Sequence, residues 1–164
     1  MTTTTGTTHD MLRHTLATLA YRASKAVRGA PAAFADYALQ NGMRTPLQIL
    51  AHMGDLMDWG LAMSRDQGAW NEATPLPWDR EVQRFFAALT AWDAHLAKGG
   101  PLNTSWERLF QGAIADALTH TGQLAMLRRA MGSPIRGESY NRAHIRVGQT
   151  GFEQPPAPEG SEFD

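Results

Sequence analysis

One carboxylate and two imidazoles are the side chains of this sequence best suited to carry chemistry. Asp116 and His120 are four positions apart within residues 104–131, a stretch typical of one long helix. On an α-helix this spacing stacks two side chains one turn apart, with about 5–6 Å between their Cβ atoms. Both positions fall inside the edge of an apolar arc, where an unpaired ionised carboxylate is costly. Asp116 is therefore expected to be ion-paired, hydrogen-bonded or bound to a metal.

A second histidine is predicted to face the same interior. The capping box formed by Thr45 and Gln48 marks the start of a helix, and His52 follows one turn later. Its neighbours at helical spacing are apolar: Ile49, Leu56 and Trp59. His52, Asp116 and His120 together form a set of two imidazoles and one carboxylate, which leaves a coordination position open for water or substrate. By spacing alone, a structural Asp–His hydrogen bond is the alternative to a metal site.

Two further charged residues are candidates for a supporting role. Asp55 lies three positions after His52 and could accept a hydrogen bond from the free ring N–H of that histidine. Arg128 projects toward the apolar arc two turns beyond His120. It is expected either to extend from the helix end into solvent or to present a fixed cation to an anionic substrate group.

Four amphipathic helices must position these groups. Apolar periodicity predicts helices over residues 10–27, 78–98 and 104–131, and a further helix from residue 45 to a linker that starts at residue 64. The helix over residues 104–131 is predicted to open with a capping box from Thr104 to Glu107. The buried arc of the last helix is predicted to contain Trp106, Leu109, Phe110, Ala113, Ala117, Leu124, Leu127 and Met131. No strand pattern appears. These features predict an all-α fold, a four-helix bundle with long inter-helix connections.

The predicted domain organisation is simple. Residues 8–132 form the bundle, residues 133–164 form an extended C-terminal tail that packs on the bundle or is partly disordered, and residues 1–7 are disordered. The 164 residues suffice for one core.

Composition excludes several classes of function. The formal net charge of −1, with both signs interspersed, gives no basic stripe for nucleic acid and no polybasic patch for a membrane. Because the chain has no cysteine, a metal would be held by His, Asp, Glu or carbonyl groups. The Thr-rich start has neither the cationic nor the apolar segment of a signal peptide, so a cytoplasmic location is expected.

Two segments carry a resemblance to a known family. His52-Met-Gly-Asp-Leu-Met-Asp-Trp59 and the run from Ala115 to Arg129, which contains His120-Thr-Gly-Gln123, resemble the DinB/YfiT-like family of metalloenzymes. Those proteins are four-helix bundles with an inward histidine on the second helix and a His-x-x-x-His-x-Gly-Gln motif on the last. Asp116 stands where the family has the first histidine of that motif, and a carboxylate remains a good ligand.

The resemblance implies a function for these residues. His52, Asp116 and His120 would bind a divalent metal ion (Zn, Ni or Fe), with Gln123 and Asp55 as supporting residues and Arg128 as a substrate anchor. The metal would activate a low-molecular-weight thiol or a water, for thiol transfer or hydrolysis on a small-molecule substrate, and oxygen chemistry stays open with Fe(II). A homodimer is also implied. The alternatives are a non-catalytic, stress-associated metal-binding bundle and a plain structural bundle.

Overall fold

The fold is predominantly helical, and its four long helices begin and end close to the predicted positions. The computed structural model describes residues 7–65 and 68–164. Helix α1 spans Thr8–Val27, α2 spans Pro46–Ser64 and α3 spans Trp78–Ala97. Helix α4 covers residues 106–130 in three consecutive segments: α-helical Trp106–Leu109, π-helical Phe110–Ile114 and α-helical Ala115–Ala130. Short 3₁₀ turns cover Ala32–Phe34 and Tyr140–Arg142.

Helix starts follow their capping residues, with one correction. The predicted box at Thr45 and Gln48 is confirmed, since each side chain accepts a hydrogen bond from the backbone N–H of the other. The predicted box at Thr104 is wrong: Ser105 is the N-cap of α4, and its hydroxyl accepts from the N–H of Arg108. Thr7, the last residue of the predicted disordered N-terminus, forms a further capping box with Asp10. The remainder of the predicted disordered N-terminus, residues 1–6, lies outside the described residues.

Each of the four helices packs mainly against two of the others. Helices α1 and α2 each pack against both α3 and the last segment of α4. The core lies between them and contains, among others, Leu16, Leu50, Met53, Phe85, Leu89, Trp92 and Leu124, all fully buried. Within the described ranges, every helix is too short or too polar to cross a membrane.

The π-helical segment changes which residues of α4 face the core. At about 100° per residue, a uniform helix would place Trp106 and Phe110 at the centre of the buried arc. They are instead 42% and 39% exposed, while Leu109 is fully buried. A π turn holds one additional residue, which rotates the preceding residues by roughly 100° relative to those that follow. The prediction that Trp106 and Phe110 lie in the core is therefore wrong.

The C-terminal tail is held against α1 by hydrogen bonds. Its strand β1, Gly137–Glu138, pairs antiparallel with β2, Glu162–Phe163, two short strands that the sequence pattern did not predict. Glu138 is buried, and its carboxylate accepts two hydrogen bonds from α1. The Tyr21 hydroxyl donates at 2.7 Å and the Lys25 ammonium at 2.6 Å. Burial and this hydrogen bond raise the pKa of Tyr21, so it stays a donor. The tail thus packs on the helices.

Two glycines of the helices give a matched prediction about packing. A Cβ at Gly60 would lie 2.3 Å from ring atoms of Trp92, which is fully buried and donates its indole N–H to Ser64. Gly60→Ala is therefore expected to destabilise the protein by about 1–3 kcal/mol. A Cβ at Gly122 meets nothing within 4 Å, so Gly122→Ala should stabilise by about 0.5–1 kcal/mol through helix propensity. Urea unfolding of both variants checks this, and equal effects would contradict the close contact between Gly60 and Trp92.

Candidate metal centre

Three side chains from two helices converge as the sequence predicts. The Nε2 atom of His52 on α2 lies 3.5 Å from one carboxylate oxygen of Asp116, and Nε2 of His120 lies 3.5 Å from the other. The two imidazoles meet edge to face, with ring centroids 4.9 Å apart. One donor atom from each of the three residues lies within 4.8 Å of the other two. This group could hold a metal ion.

The distances argue against a structural Asp–His hydrogen bond. A charge-assisted N–H···O bond is about 2.7–2.9 Å long, and both Nε2–carboxylate distances exceed this. Ligands bound at about 2.0–2.1 Å to one tetrahedral ion are about 3.3–3.4 Å apart. The two 3.5 Å separations are close to that value.

Exposure of the three ligand candidates increases toward Asp116. The side chains of His120 and His52 are 11% and 20% exposed, whereas that of Asp116 is 46% exposed. The expectation that Asp116 points into the core is therefore corrected: its side chain stands at the edge of the core and is only partly buried. A cation held there would have a side open to water or a small molecule, as in metal sites that carry out catalysis.

Gln123 contacts the ring nitrogen of His120 that points away from Asp116, as partners of metal-binding histidines do. Its side-chain oxygen lies 2.7 Å from Nδ1 of His120, one helical turn earlier. Because an amide oxygen only accepts, this contact favours the tautomer with the proton on Nδ1, which leaves Nε2 on the side of Asp116 without one. Gln123 therefore selects the tautomer that leaves Nε2 free to bind a cation.

Removing this contact should weaken metal binding without breaking the fold. Gln123 is exposed, so Gln123→Ala is expected to change the free energy of unfolding by less than about 0.5 kcal/mol. The affinity for zinc should fall about 10–100-fold, the usual cost of losing a partner that orients a ligand. Competition titration against a chelating dye measures this, with Gln123→Glu as the control that keeps an acceptor. An unchanged affinity in Gln123→Ala would show that the contact does not orient His120.

Asp55 is not the acceptor for His52 that its spacing suggested. Its carboxylate, 3% exposed, accepts from the guanidinium of Arg84 on α3 at 3.0 Å and from the backbone N–H of Ala73 at 3.2 Å. The reason is the arginine that reaches across from α3, which periodicity within α2 does not reveal. Asp55 thereby holds the α2–α3 connection in place near His52.

Arg128 is not available as a substrate anchor. Only 5% exposed, it donates to the carbonyl oxygens of Ala26, Arg28 and Gly29 and to both the carbonyl and hydroxyl of Ser133. Ala26 lies in the last turn of α1, where carbonyl groups lack partners within the helix, and Arg28 and Gly29 directly follow that helix. Arg128 supplies donors to all three. Burial also lowers the pKa of its guanidinium. Its role is to join α4 to the end of α1.

Two residues near the site were not predicted from the sequence. Trp70, in the α2–α3 connection, packs edge to face on His52 with ring centroids 5.4 Å apart, and contacts Trp59 in the same way. Arg44, which precedes the N-cap of α2, lines cavities beside both His52 and His120. An aromatic residue in a polar linker and an arginine in a loop are the weak signals that could have pointed to them.

Comparison with known proteins adds nothing to this geometry. No family model, no curated protein and no solved structure matches the chain.

Proposed function

We propose that the protein is a metal-dependent enzyme of the DinB-like kind, a four-helix bundle whose His52, Asp116 and His120 hold a divalent cation. Zn, Ni and Fe all accept this set of two imidazoles and one carboxylate. A cation bound there would lower the pKa of a coordinated thiol or water and so supply a nucleophile for thiol transfer or hydrolysis. The observation that carries the proposal is the convergence of three donor atoms from α2 and α4.

The surroundings of the three residues support a reaction on a small molecule. Trp70 packs edge to face on His52 and gives the site an aromatic wall on that side. Asp116 is only partly buried, which leaves room for a reactant beside it. Each of the three residues also lines a separate cavity, so a substrate has places to lie next to the site. The contacts of α1 and α2 with both α3 and α4 support the bundle arrangement.

The test begins with elemental analysis of protein purified without chelator. A stoichiometric transition metal is expected, and its identity then sets the assay. The metal-loaded protein is incubated with a low-molecular-weight thiol and an electrophile, or with an activated ester, and product formation is compared with that of His52→Ala. Turnover that requires both the metal and His52 is the expected result.

The outcomes separate the proposal from its alternatives. Bound metal without turnover across several thiols and esters would favour a non-catalytic metal-binding bundle. The absence of specific metal binding would contradict the proposal and favour a structural role for the three residues. The family membership, a homodimer and a cytoplasmic location stay predictions.

A further inference from the structure

A cavity of about 300 Å³ opens beside His120, at the small end of the size range of ligand sites. Its wall is mostly apolar and comes from the α1–α2 connection, α2 and α4: Leu39, Met43, Ile49, Met126 and Leu127. His120 and Gln123 complete one side, so the cavity adjoins the candidate metal centre directly.

Arg44 is the one Asp, Glu, Lys or Arg residue among those that the structure places around this cavity. It also lines the smaller cavity of about 210 Å³ beside His52, and it is common to both. Arg44 therefore contributes to the walls of the spaces next to both histidines.

The guanidinium of Arg44 makes no hydrogen bond or ion pair within residues 7–65 and 68–164. Arg128 and Arg84 direct their donors to carbonyl and carboxylate groups of the protein. Arg44, by contrast, is exposed and enters no hydrogen bond or ion pair with the described residues. A guanidinium presents a fork of donors that matches a carboxylate.

Three of the apolar side chains at this cavity are unusually exposed. Leu39, Met43 and Met126 are 43%, 48% and 57% exposed, although all three are large and apolar. Grouped apolar exposure beside polar groups is typical of a surface that a ligand covers. The cavity thus offers apolar contact along its wall and one positive charge at its edge.

We propose that this cavity binds a small carboxylate substrate, with its apolar part against Leu39, Met43 and Met126 and its acid group on the guanidinium of Arg44. This rests on the proposed function, because the binding mode places the rest of the molecule beside His120, where the reaction would occur. A positive charge with no carboxylate lining the same cavity selects anions over neutral analogues of equal shape.

The probe is 4-phenylbutyrate, and its neutral amide is the matched control ligand. Both are titrated into protein labelled with ¹³C at the methionine methyl groups, in metal-free and in zinc-loaded form. The acid is expected to shift the Met43 and Met126 signals, identified by the variants Met43→Leu and Met126→Leu. Arg44→Gln should weaken binding of the acid about tenfold and leave binding of the amide unchanged. Arg80→Gln, which changes an exposed arginine of α3 that lines neither cavity, should affect neither ligand.

The metal-free arm separates this inference from the proposed function. Dependence of acid binding on Arg44 in metal-free protein supports the inference whether or not zinc binds. Equal binding of acid and amide to the unchanged protein, or equal binding of the acid to Arg44→Gln, would overturn it while leaving zinc binding intact. Acid binding that requires zinc and ignores Arg44 would also overturn it, since the carboxylate would then be a metal ligand. Signals of Met43 and Met126 that respond only to protein concentration would assign the surface to a second copy of the chain and overturn it as well.

Discussion

Asp116→Ala is expected to abolish stoichiometric metal binding. Asp116 supplies the only negative charge of the three-residue set, and its two oxygens face Nε2 of His52 and Nε2 of His120. Two neutral imidazoles alone neither neutralise a divalent cation nor complete three ligands. Loss of a residue that only orients a ligand lowers metal affinity about 10–100-fold. Loss of the ligand Asp116 itself should lower the affinity for zinc by more than that. Elemental analysis and a competition titration against a chelating dye measure the change.

Asp116→Asn is the matched variant, because the amide keeps the shape and one oxygen of the carboxylate but removes its charge. It should bind zinc more weakly than the unchanged protein and more tightly than Asp116→Ala. Metal content that is the same in all three proteins would remove Asp116 from the site.

The free energy of unfolding distinguishes a metal ligand from a structural partner. In metal-free protein, Asp116→Ala should change it by less than about 1 kcal/mol, because a half-exposed carboxylate contributes little through weak ion pairs. Added zinc should stabilise the unchanged protein, since a ligand of the folded state shifts the unfolding equilibrium, and should not stabilise the variant. A large loss of stability without metal would instead favour a structural Asp–His pair.

The convergence of the three residues could be predicted because it depends on periodicity along single helices. The spacing of Asp116 and His120 and the apolar neighbours of His52 are properties of one helix each. The capping box at Thr45 was equally local, and it sets where α2 starts. The convergence then required one further condition, that α2 and α4 pack against each other, and they do.

Contacts between separate segments could not be predicted in this way. Asp55 was a candidate because it lies three positions after His52, and Arg128 because it projects toward the apolar arc. The partners of both residues come from other segments. The π-helical turn in α4 likewise shifted Phe110 outward, since periodicity assumes one constant angle per residue. Trp70 and Arg44 lie in connections, where no period places a side chain.

Arg84→Met is expected to destabilise the protein by about 3–5 kcal/mol, the usual cost of removing one partner from buried ion pairs. Arg84 donates to the carboxylates of Asp55 and Glu81, whose side chains are 3% and 0% exposed, and to the carbonyl oxygen of Ala51. Burial lowers the pKa of the guanidinium, but the hydrogen bonds and charges of Glu81 and Asp55 raise it more, so the net shift is upward. Methionine fills much of the volume but leaves two negative charges buried without a cation.

Asp58→Asn is the control for charge at the edge of this group. Asp58 contacts the same guanidinium at 3.3 Å, but its side chain is 59% exposed. Water already screens that carboxylate, so its removal should change the free energy of unfolding by less than about 1 kcal/mol. Urea unfolding of Arg84→Met and Asp58→Asn gives the comparison, and similar losses in both would contradict the role assigned to burial.

A triple variant tests whether uncompensated charge is the cause. Arg84→Met combined with Asp55→Asn and Glu81→Gln removes the two buried charges together with their cation, and should recover part of the stability lost in Arg84→Met alone. No recovery would mean that the lost hydrogen bond to Ala51 or the altered packing causes the loss.

The carboxylates of Asp55 and Glu81 also accept hydrogen bonds from the backbone N–H groups of Ala73 and Leu76. These bonds fix the connection that carries Trp70. Hydrogen exchange at these two amides should therefore accelerate in Arg84→Met, which would extend the effect of a buried ion pair to the wall beside His52.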